Sequence, residues 1–295
     1  MNKKRIITAI FAYFGRRSTR ARQRLASLLA WLGRRLLRSR VHIVQTNLAL
    51  AFPHLSKAEQ QHLLHRHFQL LAQSVIDRGV LWFGSKEKIL DMVSITGLEH
   101  LETLLANKQP ILLLAPHFIG LDAAATRLTL FLKESATMYT SQSDAAVDTI
   151  VRQGRGRFNQ VHLVNRKQGI RGLLRYLRQG VPVYYLPDMD FGRRGATFVP
   201  FFGVPAATLT TTAQIARKWS AAVVPIVTTL NDTTGVYDVK VLPPLDNYPG
   251  PQDDTAATAR LSRYIETWVA PDPAQYYWVH RRYKTRPNPD DPKLY

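Results

Sequence analysis

A histidine and an aspartate lie five positions apart in the stretch ILLLAPHFIGLDAAA, as His117 and Asp122. An imidazole whose one nitrogen is held by a carboxylate is a general base, able to take a proton from a hydroxyl and hand it to a leaving group. The same residues have a plainer use. His117 can close a strand with a backbone hydrogen bond, and Asp122 can sit at a helix N-terminus, where negative charge is favourable. Spacing alone leaves both readings open.

Two further clusters could carry chemistry. Between residues 152 and 178 stand Arg152, Arg155, Arg157, Arg166, Lys167, Arg171, Arg175 and Arg178, with no acid among them. Lys167, Arg171, Arg175 and Arg178 step along one helical face opposite Ile170, Leu173, Leu174 and Leu177, the pattern of a solvated face. Arg155, Arg157 and Arg166 fall at loop or element ends, where guanidinium forks can grip an anionic ligand. Further on, the segment VPVYYLPDMDFGRRGATFVPFFGVPAAT holds Asp188 and Asp190. This pair could hold a divalent metal against a sugar nucleotide, making a metal-dependent glycosyltransferase the alternative enzyme, or it could cap backbone amides and pair with Arg193 or Arg194. The FVPFFG that follows reads as exposed-loop aromatics suited to an acyl-chain groove. His62, His65 and His67 are expected to be solvated or interfacial, because only the first two share a helical face and no acid lies beside them.

Other chemistries are absent. With no cysteine there is no disulfide, thiolate metal site or cysteine nucleophile. No G-x-S-x-G elbow, P-loop or G-x-G-x-x-G is present, which removes the usual serine acyl-enzyme and nucleotide motifs.

The elements that must position these residues alternate. Strands are predicted at 93–96, 111–115, 136–140, 161–164, 182–187, 223–228 and 236–242, and helices at 98–107, 121–132, 145–157, 168–179, 208–219 and 255–269. The alternation predicts an α/β fold, a mostly parallel sheet flanked by helices. His117 then falls in the turn at the carboxyl end of a strand, where such sheets carry their sites, and Gly120 gives that turn backbone freedom. Five residues span about 140° of a regular helix, so Asp122 reaches the imidazole only if His117 lies in the turn itself. Upstream, one long helix is predicted from Ser56 to Phe83, with Ser56 and Glu59 as a capping box. Pro243 to Asp254 reads as a loop and Pro287 to Tyr295 as a mobile tail.

The charge is uneven. Of a net +19, residues 1–58 contribute 13 basic side chains and no acid, leaving 27 basic against 21 acidic residues in the rest. Two apolar stretches, IITAIFAYF and LASLLAWL, interrupt the basic segment, and both are shorter than the roughly 18–20 residues of a membrane span. Leu25, Leu28, Leu29, Leu32 and Leu36 follow helical spacing, flanked by Arg24, Arg34, Arg35 and Arg38. This predicts an amphipathic helix on an anionic membrane surface. The intervening arginines and the lack of a small-residue cleavage site argue against a signal peptide, and the leucines against a nucleic-acid-binding arm. The expected organisation is a basic amphipathic arm over 1–45 and one enzyme domain over 46–295.

HFIGLD at 117–122, GRGRFN at 154–159 with NRKQGIRGLLRYLRQG at 165–180, LPDMDFGRRGATFVPFFGVPAAT at 186–208 and QYYWVHRRYKTRP at 275–287 occur in that order, preceded by NLALAFPHLS at 47–56. Together they resemble the late acyltransferases of lipid A biosynthesis, the lauroyl and myristoyl transferases of Gram-negative bacteria, from Asn47 to Tyr295. The resemblance implies a glycerolipid-acyltransferase-like fold and a catalytic dyad of His117 and Asp122. It implies direct transfer of an acyl chain from a thioester on acyl carrier protein or coenzyme A to a hydroxyl of a lipid A precursor. No metal is implied, and no cofactor beyond the donor's own phosphopantetheine. Arg166 is implied to bind phosphate and Asp188 to belong to the substrate-binding third motif. Related enzymes acylate other glycolipid or phospholipid acceptors. The implied place is the cytoplasmic face of the inner membrane. There this chain's short, arginine-broken apolar stretches imply peripheral or shallow attachment in place of the family's longer anchor.

Overall fold

The computed structural model describes residues 3–295, so the first two residues of the predicted arm lie outside the described residues. Four helices open the chain: α1 (Lys3–Arg16), α2 (Thr19–Leu36), α3 (Arg38–Ala51) and α4 (Lys57–Phe83). The capping box that starts α4 is formed. The Ser56 hydroxyl accepts from the Glu59 amide, and the Ser56 amide donates to the Glu59 carboxylate at 2.7 Å. A short α5 (Lys86–Met92) follows, and then the alternating part: β1 (Val93–Thr96), α6 (Glu99–Ala106), β2 (Ile111–Leu114), α7 (Leu121–Thr129), β3 (Glu134–Tyr139), α8 (Ala145–Arg155), β4 (Gln160–Asn165), α9 (Gly169–Arg178) and β5 (Val183–Tyr185). The rest is β6 (Ala196–Phe201), β7 (Val204–Leu209), α10 (Thr211–Trp219), β8 (Ala222–Leu230), β9 (Tyr237–Val241), α11 (Asp254–Val269) and a hook, residues 270–295, without long regular elements.

The architecture is α/β. Seven strands form one sheet in the order β1-β9-β8-β2-β5-β3-β4, parallel throughout except where β9 runs against β8. Every strand predicted from the alternation is in it. Because side chains alternate across a strand, β2 feeds two cores. Leu112 and Leu114 pack with α3, α9 and α11 on one face, while Ile111 and Leu113 pack with α7 and the later turns of α4 on the other.

FVPFFG is not an exposed loop. It forms the hairpin β6–β7, turned at Phe202 and Gly203, both at positive φ as a two-residue hairpin turn requires. Phe201 is fully buried, and Phe201 and Phe202 pack at a tilt against Tyr276 and Trp278 of the hook. The aromatics thus build core. The tail is likewise held: the Tyr283 amide donates to the Tyr295 hydroxyl at 3.1 Å, and that hydroxyl donates to the Asn47 side chain. His67 also departs from expectation. It is fully buried, with Nδ1 donating to the Ala274 carbonyl, and burial pushes its pKa down to about 4; His62 and His65 are exposed.

The arm packs tightly on α4. Gly15 of α1 crosses Gly79 of α4 so closely that a Cβ on Gly15 would lie 2.4 Å from the Gly79 carbonyl oxygen. On α2 the inward face is Arg22, Ala26 and Ala30, and the Arg22 guanidinium is paired with the fully buried Asp77 at 2.7 Å. Asp77 also accepts from Gln73 and from the Tyr237 hydroxyl of β9, which ties the arm to the sheet. With the small residues turned inward, the leucines turn outward: Leu28, Trp31, Leu36 and Leu37 are exposed. Of the twelve large apolar side chains that stand exposed among the described residues, eight lie in the first 37. No helix among the described residues is long and apolar enough to cross a membrane.

Candidate active site

The sheet order decides which side chains meet. Strand β5 lies next to β2 and parallel to it, so the segments leaving their carboxyl ends emerge side by side. His117 follows β2 and Asp188 follows β5. The His117 Nδ1 lies 2.7 Å from Asp188 Oδ1, and the His117 amide donates to Asp188 Oδ2 at 2.8 Å. The carboxylate accepts, so Nδ1 carries the proton and Nε2 keeps the lone pair. Asp188 is 1% exposed. Burial pushes its pKa up, but the neighbouring His117, the two hydrogen bonds from it and one from Tyr276 outweigh burial and hold the carboxyl below its ordinary value.

The hook locks this arrangement from outside. The Tyr276 hydroxyl donates to Asp188 Oδ2 at 2.9 Å. On either side of it, the Ile119 amide donates to the Gln275 carbonyl at 2.7 Å and the Tyr277 amide donates to the His117 carbonyl at 2.9 Å. Tyr276 was not singled out as a residue in the sequence. Only its place in the QYYWVH motif pointed to it.

Asp122 does not orient His117 in this structure. It stands in the first turn of α7 and faces α4 and α8: Arg78 donates to one oxygen at 2.9 Å, and Arg155 donates to the other through Nη2 at 2.9 Å and Nε at 3.2 Å. Burial pushes the Asp122 pKa up, but Arg155 and Arg78 outweigh it and hold the group down at about 2. Gly120, whose φ is an ordinary −82°, serves by its size. A Cβ there would lie 2.6 Å from Thr228 Cγ2 and 2.9 Å from the Tyr237 ring.

His117, Asp122, Arg78, Arg155 and Arg166 all line one cavity of about 580 Å³, whose walls include Leu121, Leu128, Leu132, Met138, Ile170 and Leu186. This is the size and mostly apolar character of a ligand pocket, with charged and polar groups among its walls. Arg166 stacks over Phe191, 4.9 Å from the ring centre, and its guanidinium has no ion pair among the described residues. Arg157 is elsewhere employed. It donates to the carbonyls of Leu81 and Gly84 at the end of α4, which satisfies that helix terminus and takes the residue out of the ligand-binding set. Asp188, fully engaged by His117 and Tyr276, likewise holds the imidazole and does not face a ligand. Arg78 was missed because nothing in the local pattern of α4 distinguishes it.

The Asp-Met-Asp pair does not converge on a shared point. Asp190 accepts from the Gly192 amide, the Thr285 amide and the Thr285 hydroxyl, while Asp188 faces His117. Arg193 donates to the Arg286 and Pro287 carbonyls and pairs with neither aspartate. The exposed stripe of Lys167, Arg171, Arg175 and Arg178 is the solvated face expected of it.

The family model for bacterial lipid A biosynthesis acyltransferase matches residues 6–285. The chain is 33% identical over 266 residues to a lipid A biosynthesis lauroyltransferase of Escherichia coli (strain K12), which covers 90% of this chain and 85% of the relative. It is 33% identical over 258 residues to a lipid A biosynthesis acyltransferase of Haemophilus influenzae, covering 87% of the chain and 81% of the relative. To a lipid A biosynthesis myristoyltransferase of Escherichia coli (strain K12) it is 32% identical over 262 residues, covering 88% and 80%.

Proposed function

Because this chain belongs to the bacterial lipid A biosynthesis acyltransferase family, we propose that it joins a fatty acyl chain directly to a hydroxyl of a lipid A precursor, with His117 as the base. The chain is an acyltransferase of lipid A biosynthesis. The observation that carries the mechanism is the His117 imidazole, its Nδ1 proton fixed on buried Asp188, lining an apolar cavity of about 580 Å³.

The donor is a thioester on the phosphopantetheine arm of acyl carrier protein or of coenzyme A, with its acyl chain in the cavity. His117 Nε2 takes the proton of the acceptor hydroxyl as the oxygen attacks the thioester carbonyl. The carbon–sulfur bond then breaks, and the thiolate leaves with the proton that Nε2 holds. Asp188 stabilises the imidazolium between these steps. Asp122 binds two guanidinium groups and leaves a surplus positive charge on the cavity wall, available to the carbonyl oxygen as it becomes negative. The chemistry requires neither an acyl-enzyme nor a metal.

The exposed apolar side chains of α1 and α2, set among arginines, support attachment at the surface of the inner membrane, with the basic charge favouring its cytoplasmic anionic lipids. An acidic acyl carrier protein and a phosphorylated acceptor both suit a net charge of +19, and no role for nucleic acid is needed.

The test is a mass measurement. Incubated with acyl carrier protein or coenzyme A thioesters and a lipid A precursor bearing a free 3-hydroxyacyl chain, the protein is expected to raise the acceptor mass by one acyl group, equally with and without EDTA. An acceptor unchanged in mass with both donors would sink the reading, and loss of transfer in EDTA would sink its metal-free form.

A further inference from the structure

A second concavity lies beside the hook and is not used by the chemistry above. It encloses about 740 Å³ between the α2–α3 junction, which contributes Leu36, Leu37, Arg38 and Arg40, and the hook, which contributes His280, Arg281 and Lys284. Four cations thus face one carboxylate, that of Asp190, whose oxygens are already bonded to Gly192 and Thr285. Arg40 donates to the Val279 carbonyl at 3.2 Å, which pins the junction to the hook. Arg38, Arg281 and Lys284 have no hydrogen bond or ion pair through their side chains among the described residues, and all three are exposed.

Two observations make this more than a basic patch. The His280 Nδ1 is buried with no partner, and the ring is held neutral: burial above all brings its pKa down to about 4. A neutral imidazole still has a donor to offer an anion. The groove also adjoins the reacting centre, since the His280 amide donates to the Tyr277 carbonyl and the Tyr277 amide to the His117 carbonyl. Its rim bears Leu36 and Leu37, 74% and 53% exposed, the most exposed of the large apolar side chains. An occupant therefore meets four cations, three of them without a partner among the described residues, beside an exposed apolar rim, the environment of a lipid head group entering from a bilayer.

We infer that this groove is a phosphate subsite that holds a phosphate monoester of the acceptor glycolipid while the hydroxyl of its acyl chain reaches His117. A phosphate monoester carries between one and two negative charges near neutrality and offers three acceptor oxygens, which match two guanidinium forks and an ammonium. The two concavities then divide the substrates, the apolar one taking the donor chain and the basic one the acceptor's charge. This rests on the acyl-transfer reading above.

The test compares acceptors with and without the phosphate, in the wild type and in the Arg281→Ala, Lys284→Ala double variant. Both side chains are exposed, so the fold is expected to survive. For the phosphorylated acceptor the double variant is expected to raise KM by about 10–100-fold with a smaller effect on kcat. Dephosphorylated acceptor is expected to be poor for the wild type by a similar factor and no worse for the variant. The Arg171→Ala, Arg175→Ala double variant, two exposed arginines on α9, removes the same two charges and is expected to leave KM unchanged. If the wild type transfers acyl groups and the double variant keeps the wild-type KM, the subsite is overturned. It is overturned equally if both acceptors suffer alike while binding to phosphatidylglycerol vesicles falls, since the groove would then serve bulk anionic lipid. A wild type that acylates neither acceptor would instead remove the acyl-transfer reading itself.

Discussion

Asp188→Asn is expected to lower kcat by about 10⁴-fold with the fold intact, the loss seen where a carboxylate that fixes a catalytic imidazole is replaced by its amide. The amide fills the same space and can still accept the His117 amide proton. It cannot reliably accept from Nδ1, so the imidazole is free to move its proton to Nε2, where the base is needed, and the imidazolium loses its counter-charge. His117→Ala is expected to fall as far, and combining the two to cost little more, because the residues act as one unit. Asp122→Asn takes a different route. It leaves Arg78 and Arg155 without their anion, so it is expected to lower both activity and stability. The Asp122 pKa lies at about 2, below its ordinary value, so the ion pairs contribute about 2 kcal/mol that is fully present above pH about 4 and is lost as pH falls toward 2. Denaturant unfolding at a series of pH values should show the gap between wild type and Asp122→Asn closing over that interval. Asp188→Asn with near-normal kcat would show that the His117–Asp188 contact has no part in the chemistry.

Membrane attachment is the second large effect. Changing Leu28, Trp31, Leu36 and Leu37 together to serine is expected to weaken binding to anionic vesicles by about 10³-fold. Full burial of such a side chain is worth about 1.5–3 kcal/mol; about 1 kcal/mol each is reasonable for partial burial at an interface. The four are exposed, so the melting temperature should barely move. Deleting the arm is the poorer experiment, because it would strand buried Asp77 without Arg22. Wild-type binding should also weaken with added salt, since the arginines share the work. Cosedimentation unchanged by the four substitutions would exclude the outward apolar surface as the attachment.

What could be read from the sequence follows the range of the interaction. All seven strands of the main sheet were legible because each is a short apolar run between turn residues, and the α4 start because Ser56 and Glu59 are three residues apart. The hairpin β6–β7 was not, since its aromatics face the hook some seventy residues on and lack a polar alternation. The partner of His117 was misassigned for a related reason. Asp122 is near in sequence, whereas Asp188 is near only because β5 lies beside β2, a strand order that no local pattern encodes. Arg157 shows the opposite error: its position at an element end was read correctly, but the partner it found was the terminus of α4.

The hook couples the setting of His117 to the fold at large. Tyr276 completes the hydrogen bonding of Asp188, Gln275 and Tyr277 bracket the His117 loop, and Tyr295 closes on Asn47 near the other end of the chain. A single segment, residues 270–295, thus reaches both the turn after β2 and α3, so the setting of His117 depends on contacts made far from it in sequence. Loosening that segment would release the His117 carbonyl, the Ile119 amide and the Asp188 carboxylate together.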